Sequence, residues 1–242
     1  MSSVAQFDSW RGGLIVSCQA SAESALSDPQ IIAAFARAAE RNGAIGVRID
    51  GPANIRTARA AVSIPIVGIE KMRVDGFDVY ITPTYESAAR VATSGADVLA
   101  VDGTPRARPN GAALQDIISR AHAELHRPVM ADIASFDEAI AAVETAGADL
   151  IATTLSGYTK ETKSTTHPDF ELLRRLTSRL KVPVICEGHV RTTEDLRRAF
   201  DCGAFAVVVG KAITGVDWLV RQYVAATPGQ RSSNSRMRSE QK

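Results

Sequence analysis

Several short apolar runs of this chain end on residues able to do chemistry. Reading the positions that close or follow them gives Gln19, Arg48, Glu70-Lys71, Asp102, Asp132, Thr153-Thr154, Glu187-Gly188 and Gly210-Lys211. Two members suit proton transfer. Removing a proton alpha to a carbonyl and returning it to the other face needs an acid–base group on each side of the carbon, and Lys71 and Glu187 are the candidates. A lysine serves as a base only when burial or positive neighbours lower its pKa toward neutrality. Arg48 would push in that direction, and strand alternation turns the adjacent Glu70 to the opposite face. Taken alone, Lys71 reads equally well as a surface lysine in a long loop. Glu187, directly after the apolar run 184–186, does not.

A second chemistry is anion binding. Gly188 and Gly210 close the last two runs, and glycine lets the backbone approach a phosphate. Lys211-Ala212-Ile213-Thr214 would make the short extra helix often used beside such a site. Other constellations fail. His122 and His126 stand at i, i+4 on an expected helix away from the run ends, which reads as an exposed face rather than a zinc site. No GxSxG, Walker or Cys/His nucleophile pattern occurs. His167-Pro168-Asp169 reads as a helix start with proline in the first turn.

The elements that must position these residues alternate regularly. The apolar runs are 14–18, 45–49, 66–70, 98–102, 129–133, 150–154, 184–187 and 206–210, separated by helix-length segments. Short Val/Ile-rich runs spaced this way are parallel strands buried on both faces. Ile31, Phe35 and Ala38 recur at helical spacing before an Asn42-Gly43 stop. Phe136, Ile140 and Val143 do the same after Ser135, a candidate N-cap. Gly-Ala precedes alternate runs (Gly43, Gly95, Gly147, Gly203), and Pro65, Pro128 and Pro183 precede others, an internal repeat of two strand–helix units. Eight such units predict a single-domain α/β fold, a (β/α)₈ TIM barrel over residues 1–226. An open doubly wound sheet is the alternative, although no dinucleotide fingerprint follows the first run. Residues 72–83 and 155–167 are long connections, the former with a short extended piece at Val79, Tyr80 and Ile81. The Ser- and Arg-rich stretch 227–242 has the composition of a disordered tail.

Composition narrows the partners. A net charge of +1, 5 % aromatics and no dense Lys/Arg block give no nucleic-acid footprint. No run reaches the roughly 20 apolar residues of a membrane span, and the N-terminus lacks the form of a signal peptide. Cys18, Cys186 and Cys202 lack paired spacing and read as reduced, buried thiols of a cytoplasmic protein. Apolar content of 45 % is enough for a sizeable core.

GGLIVSCQA (12–20), VYITPT (79–84), ADIASFDEA (131–139), TTLSGYT (153–159), PDFELL (168–173), PVICEGHV (183–190) and AFAVVVGKAIT (204–214) closely resemble the N-acylmannosamine-6-phosphate 2-epimerase family over nearly the whole chain. The resemblance implies interconversion of N-acetylmannosamine 6-phosphate and N-acetylglucosamine 6-phosphate in sialic-acid breakdown, with neither metal nor nucleotide cofactor, and a homodimer. It implies Lys71 and Glu187 as the catalytic pair, Gln19, Arg48 and Asp132 as residues that hold the sugar, and Gly188 and Gly210 as phosphate-loop glycines. The chain departs from the family pattern at Glu70, usually apolar, at Met72-Arg73-Val74, usually Arg-Asp-aromatic, and at Gly215, often an arginine. Lys211 can stand in for that arginine as a point charge, without its bidentate fork. Two other readings remain open from sequence: a lyase or synthase on another sugar phosphate, with Lys71 as a Schiff base, and a sugar-phosphate-sensing barrel without turnover.

Overall fold

The computed structural model describes residues 5–228. Strands β1 (Gly13–Cys18), β2 (Gly46–Asp50), β3 (Ile66–Ile69), β4 (Val98–Asp102), β5 (Val129–Asp132), β6 (Leu150–Ala152), β7 (Val184–Cys186) and β8 (Ala206–Val209) pair in sequence order. The sheet closes into a barrel where β8 pairs with β1. All these pairings are parallel, which requires a crossover on every connection. Helices α1 (Pro29–Arg41), α2 (Pro52–Arg59), α3 (Tyr85–Thr93), α4 (Leu114–Arg120), α5 (Phe136–Glu144), α6 (Phe170–Arg179) and α7 (Thr193–Asp201) supply them. The short α8 (Lys211–Thr214) and the terminal α9 (Val216–Ala226) follow β8. The stretch expected to be a disordered tail lies outside the described residues from 229 onward.

The strand period sorts side chains into two cores. Ile15, Val67, Ile69, Ala100, Met130, Leu150, Ile185 and Val208 fill the barrel interior. Val16, Val47, Leu99, Ile151 and Val207, one residue out of phase, pack against the helices. The 3₁₀ turn Ala5–Trp10 closes the N-terminal end, where buried Phe7 and Trp10 join the interior cluster. The same parity continues past the strand ends. It points Ser17, Arg48, Lys71, Asp132, Thr154 and Glu187 into the C-terminal mouth and sends Glu70 and Thr153 outward.

Helix starts are fixed by local chemistry. Thr84 with Ser87, Ser135 with Glu138 and Thr192 with Asp195 form capping boxes on α3, α5 and α7. Helices α1 and α5 form where the spacing predicts them. The buried faces of α1 and α5 are alanine-rich: Ile32, Ala33, Ala36 and Ala39 on α1, Ala139 and Ala142 on α5. Ala38 is exposed, and Phe35, Phe136 and Val143 are only half-buried flanks of that face. Small residues let a helix lie close on the sheet, so spacing of the largest side chains marked the edge of the face rather than its centre. Pro168 precedes the α6 cap instead of sitting in its first turn. Asp169 is the N-cap, accepting from Leu172 N–H at 3.0 Å.

Candidate active site

The C-terminal mouth encloses a cavity of about 510 Å³. β3 and β7 lie on opposite sides of the closed ring, so Lys71 and Glu187 enter it from facing walls. Arg48, on β2 between them, is the electrostatic hub. Its guanidinium is 1 % exposed and grips Asp132 bidentately, Nη1 to Oδ1 at 3.1 Å and Nη2 to Oδ2 at 2.5 Å. Nη1 also stands 3.0 Å from Glu187 Oε2. Arg48 Nε is buried and finds no partner among the described residues. Burial alone would weaken the guanidinium charge, but Asp132 and Glu187 reverse this and raise its pKa.

Lys71 is held from other directions. Its Nζ donates to Gln19 Oε1 at 2.5 Å and stands 3.8 Å from Asp50 Oδ2, while its backbone N–H donates to Asp50 Oδ1 at 2.9 Å. An antiparallel bridge from Lys71 to Ile81 fixes the start of the long loop, which bears out the extended piece expected there. Glu70 is tied to Arg90, 2.7 Å away on α3, out of the cavity.

These surroundings move two pKa values toward each other. Burial, the dominant cause, pushes Glu187 up to about 7, against the pull of Arg48 and aided by Asp132. Lys71 is lowered, first by desolvation and then by Arg48, with Asp50 opposing. Its side chain still has 40 % of its surface open to solvent at the cavity mouth. The depression therefore belongs to the open site and would deepen as a ligand displaces that water.

The far end of the cavity is built differently. Gly188 takes φ 106°, a conformation suited to glycine, and it lines the cavity with Gly210 and Lys211. Gly210 begins α8, the short helix expected there, and Thr214 Oγ1 donates to Ser17 O at 2.7 Å, fastening that helix to β1. His189, itself at φ 57°, stacks on Tyr158 at 4.7 Å between ring centroids. Neither of its ring nitrogens has a partner among the described residues. Desolvation, followed by Arg191, Lys211 and His167, lowers its pKa.

Gln19, Arg48, Lys71, Glu187, Gly188, Gly210 and Lys211 thus line one cavity. Asp132 is 0 % exposed and stands behind Arg48 rather than on the cavity wall. Asp102, a run-end residue beside it in register, is taken by its own loop: Arg106 lies 2.7 Å from its carboxylate and Thr104 Oγ1 2.6 Å. Sequence reasoning gave no role to Asp50 or Tyr158, nor to Thr154 beyond its place at a run end. Thr154 Oγ1 lies 2.7 Å from Asp132 Oδ1 and 3.1 Å from Glu187 Oε2. The strand period placed Asp50 and Thr154 on the inward face, and that signal was available. His122 contacts Asp149 at 2.7 Å, and among the described residues no group of three His, Cys, Asp or Glu is placed to hold a metal. Cys18 and Cys186 are buried, with thiol pKa values pushed up to about 12 by desolvation.

Comparison with known proteins agrees with this architecture. A family model described as "NanE: Putative N-acetylmannosamine-6-phosphate epimerase" matches residues 32–228. A protein of Thermosynechococcus vestitus, named "Putative N-acetylmannosamine-6-phosphate 2-epimerase", is 51 % identical over 89 % of this chain and 93 % of its own. One of the same name from Caldanaerobacter subterraneus is 42 % identical over 93 % and 94 %. The solved structure of the N-acetylmannosamine-6-phosphate 2-epimerase from Clostridium perfringens superposes with a TM-score of 0.88 at 38 % identity, covering 92 % of this chain and 96 % of that one. A thiamine phosphate pyrophosphorylase from Pyrococcus furiosus, at 16 % identity and TM-score 0.59, shares the fold alone.

Proposed function

This chain belongs to the N-acetylmannosamine-6-phosphate 2-epimerase family, and from that premise we propose that Lys71 and Glu187 exchange the C2 proton of the sugar phosphate from opposite faces. The chain is an epimerase of that class, interconverting N-acetylmannosamine 6-phosphate and N-acetylglucosamine 6-phosphate. The observation carrying the mechanism is the placement of one lysine and one carboxyl on facing walls of one cavity, with pKa values displaced toward each other. In the open-chain sugar the C1 aldehyde acidifies the C2 proton. A neutral Lys71 takes or returns that proton on one face, and Glu187, its pKa raised by burial, does the reverse on the other. Arg48 carries a fixed positive charge beside the developing enolate oxygen, a contribution of roughly 3–4 kcal/mol in comparable sites. Asp132 works through Arg48 by holding the guanidinium fork, and Gln19 orients the Lys71 amine.

The phosphate occupies the Gly188 and Gly210 end in this reading. Backbone N–H groups there, the unpaired amides of the α8 first turn and the Lys211 charge favour an anion. We further propose that the assembly is a homodimer formed through α9. No residue of that helix is buried, and Val216, Val220, Tyr223 and Val224 leave large apolar surface exposed, Tyr223 at 78 %. Among the described residues no helix is long and apolar enough to cross a membrane.

The test of mechanism is turnover of N-acetylmannosamine 6-phosphate in deuterated water, followed at C2 by proton NMR. Deuterium should enter C2 of the product. Product formed without solvent deuterium would defeat free exchange through Lys71 and Glu187.

A further inference from the structure

Thr154 joins two carboxyl groups of the site through an uncharged side chain. Its single hydroxyl lies between two carboxyl groups, 2.7 Å from Asp132 Oδ1 and 3.1 Å from Glu187 Oε2. Arg48 Nη1 bridges the same two oxygens, at 3.1 and 3.0 Å. The two bridges differ in their hydrogens. Nη1 directs its two at Asp132 and Met130 Sδ and meets Glu187 as an ion pair, whereas the threonine hydroxyl carries one and must choose. Its neighbour Thr153 is occupied elsewhere, accepting from Glu187 N–H at 3.1 Å and donating to Glu187 O at 2.9 Å, so the backbone of Glu187 is fixed independently.

We propose that Thr154 is a positioning residue whose hydroxyl turns between Asp132 and Glu187 as Glu187 gains and loses its proton. With Glu187 protonated, the carboxyl O–H donates to Thr154 Oγ1, and Thr154 donates to Asp132. With Glu187 ionised, the hydroxyl rotates about its Cβ–Oγ1 bond and donates to Glu187 instead. Asp132 tolerates the loss because it keeps both guanidinium bonds from Arg48. No covalent bond at Thr154 forms or breaks, so each protonation state of the acid–base group finds a partner at the cost of one rotation. The charge-assisted bond to the ionised form is the stronger of the two. Thr154 therefore favours ionised Glu187, against the burial that opposes it.

The other groups facing Glu187 are Arg48 from β2, Lys71 beyond β3, Asp132 from β5, Tyr158 from the loop after β6, and Cys186 beside it on β7. Of these only Arg48 touches the Glu187 carboxylate, as an ion pair at 3.0 Å. Thr154 is thus the one uncharged hydroxyl on that carboxylate, and its removal leaves the charges of the site unchanged.

The inference rests on Glu187 being the acid–base group, so its experiment reads Glu187 without turnover. In protein labelled at glutamate carboxyl carbons, the Glu187 resonance is assigned by its loss in Glu187→Gln and titrated in wild type, Thr154→Val, Thr154→Ala and Thr154→Ser. Both variants lacking the hydroxyl should raise the Glu187 midpoint by about one pH unit, the scale of one hydrogen bond to a charged group. Serine should restore it, and kcat should fall roughly ten-fold in Val and Ala but not in Ser. An unmoved or lowered midpoint in Val and Ala, or a serine variant that behaves like them, overturns the proposal. Near-native turnover in Glu187→Gln would instead sink the proton-exchange reading, while the titration still decides the role of Thr154.

Discussion

The two ends of the cavity solve opposite electrostatic problems. At the end proposed for proton transfer, three charges are buried and paired with one another: Arg48 is 1 % exposed, Asp132 0 %, and the Glu187 side chain 12 %. At the end proposed to hold the phosphate, Gly188 and Gly210 offer backbone, and Lys211 is exposed with no carboxylate partner among the described residues. One end is complete before substrate arrives. The other is open, with an exposed cation at its edge. A preorganised buried network sets how fast bonds change, because its dipoles need not reorganise during reaction. An open cationic rim sets how well substrate is held. Damage to the first end should therefore appear in kcat, and damage to the second in KM.

The largest test of that division is Lys71→Ala, expected to abolish both epimerisation and C2 exchange. Glu187→Gln should keep the shape of the site and lower kcat by roughly 10²–10⁴-fold, with little rise in KM. Near-native turnover of either variant, measured with N-acetylmannosamine 6-phosphate, would remove that residue from the reaction. Asp132→Asn comes next. It leaves buried Arg48 with Glu187 as its remaining anion, and breaking one side of a buried pair costs about 3–5 kcal/mol. A chemical denaturation curve should record most of that loss, and kcat should fall as the guanidinium loses its fork. Arg48→Lys keeps the charge without the fork and should fall between wild type and Glu187→Gln.

At the phosphate end, Lys211→Ala should raise KM several-fold with kcat nearly unchanged, since an exposed cation gives a modest and screened attraction. The salt dependence of KM should weaken in the same variant. A drop in kcat equal to the drop in kcat/KM would mean that Lys211 acts in the transition state, and the contrast between the ends would dissolve.

The proton-transfer end was more legible in the sequence than the phosphate end, for a physical reason. Strand parity is a local rule, so the inward direction of Arg48, Lys71, Asp132 and Glu187 follows from the apolar residues two positions before each of them or close by. What parity cannot supply is contact between strands far apart in sequence. That is why the grip of Asp132 on Arg48 was not foreseen, and why Thr154 had a place but no role. Helical spacing marked the helices but not the centres of their buried faces. Periodicity weights the largest side chains, whereas close packing on the barrel selects alanine, as at Ala36 and Ala139. The loop 155–167 has no period at all, and nothing in it announced that Tyr158 would stack on His189.

The smallest expected effect concerns stability rather than rate, and it asks whether the proton-transfer end pays for its burial. Burial pushes the Glu187 carboxyl in the folded protein from its ordinary 4.5 up to about 7. A carboxyl whose folded pKa is raised binds its proton more tightly in the native state than in the unfolded chain. Its contribution to stability is then fully present below the unfolded value and is lost as pH rises through the folded one. The window is therefore about pH 4.5 to 7. Glutamine cannot ionise, so Glu187→Gln removes this slope whatever constant offset the substitution brings. The midpoint of thermal unfolding should be compared between variant and wild type at pH 5 and again at pH 8. The difference should move in favour of the variant at the higher pH, by a few degrees, since about 1 kcal/mol shifts Tm roughly 2–4 °C in a domain of this size. A difference that stays constant would mean Glu187 titrates alike in the folded and unfolded chain. Burial would then carry no electrostatic cost at this end, and the contrast with the open phosphate rim would rest on rates alone.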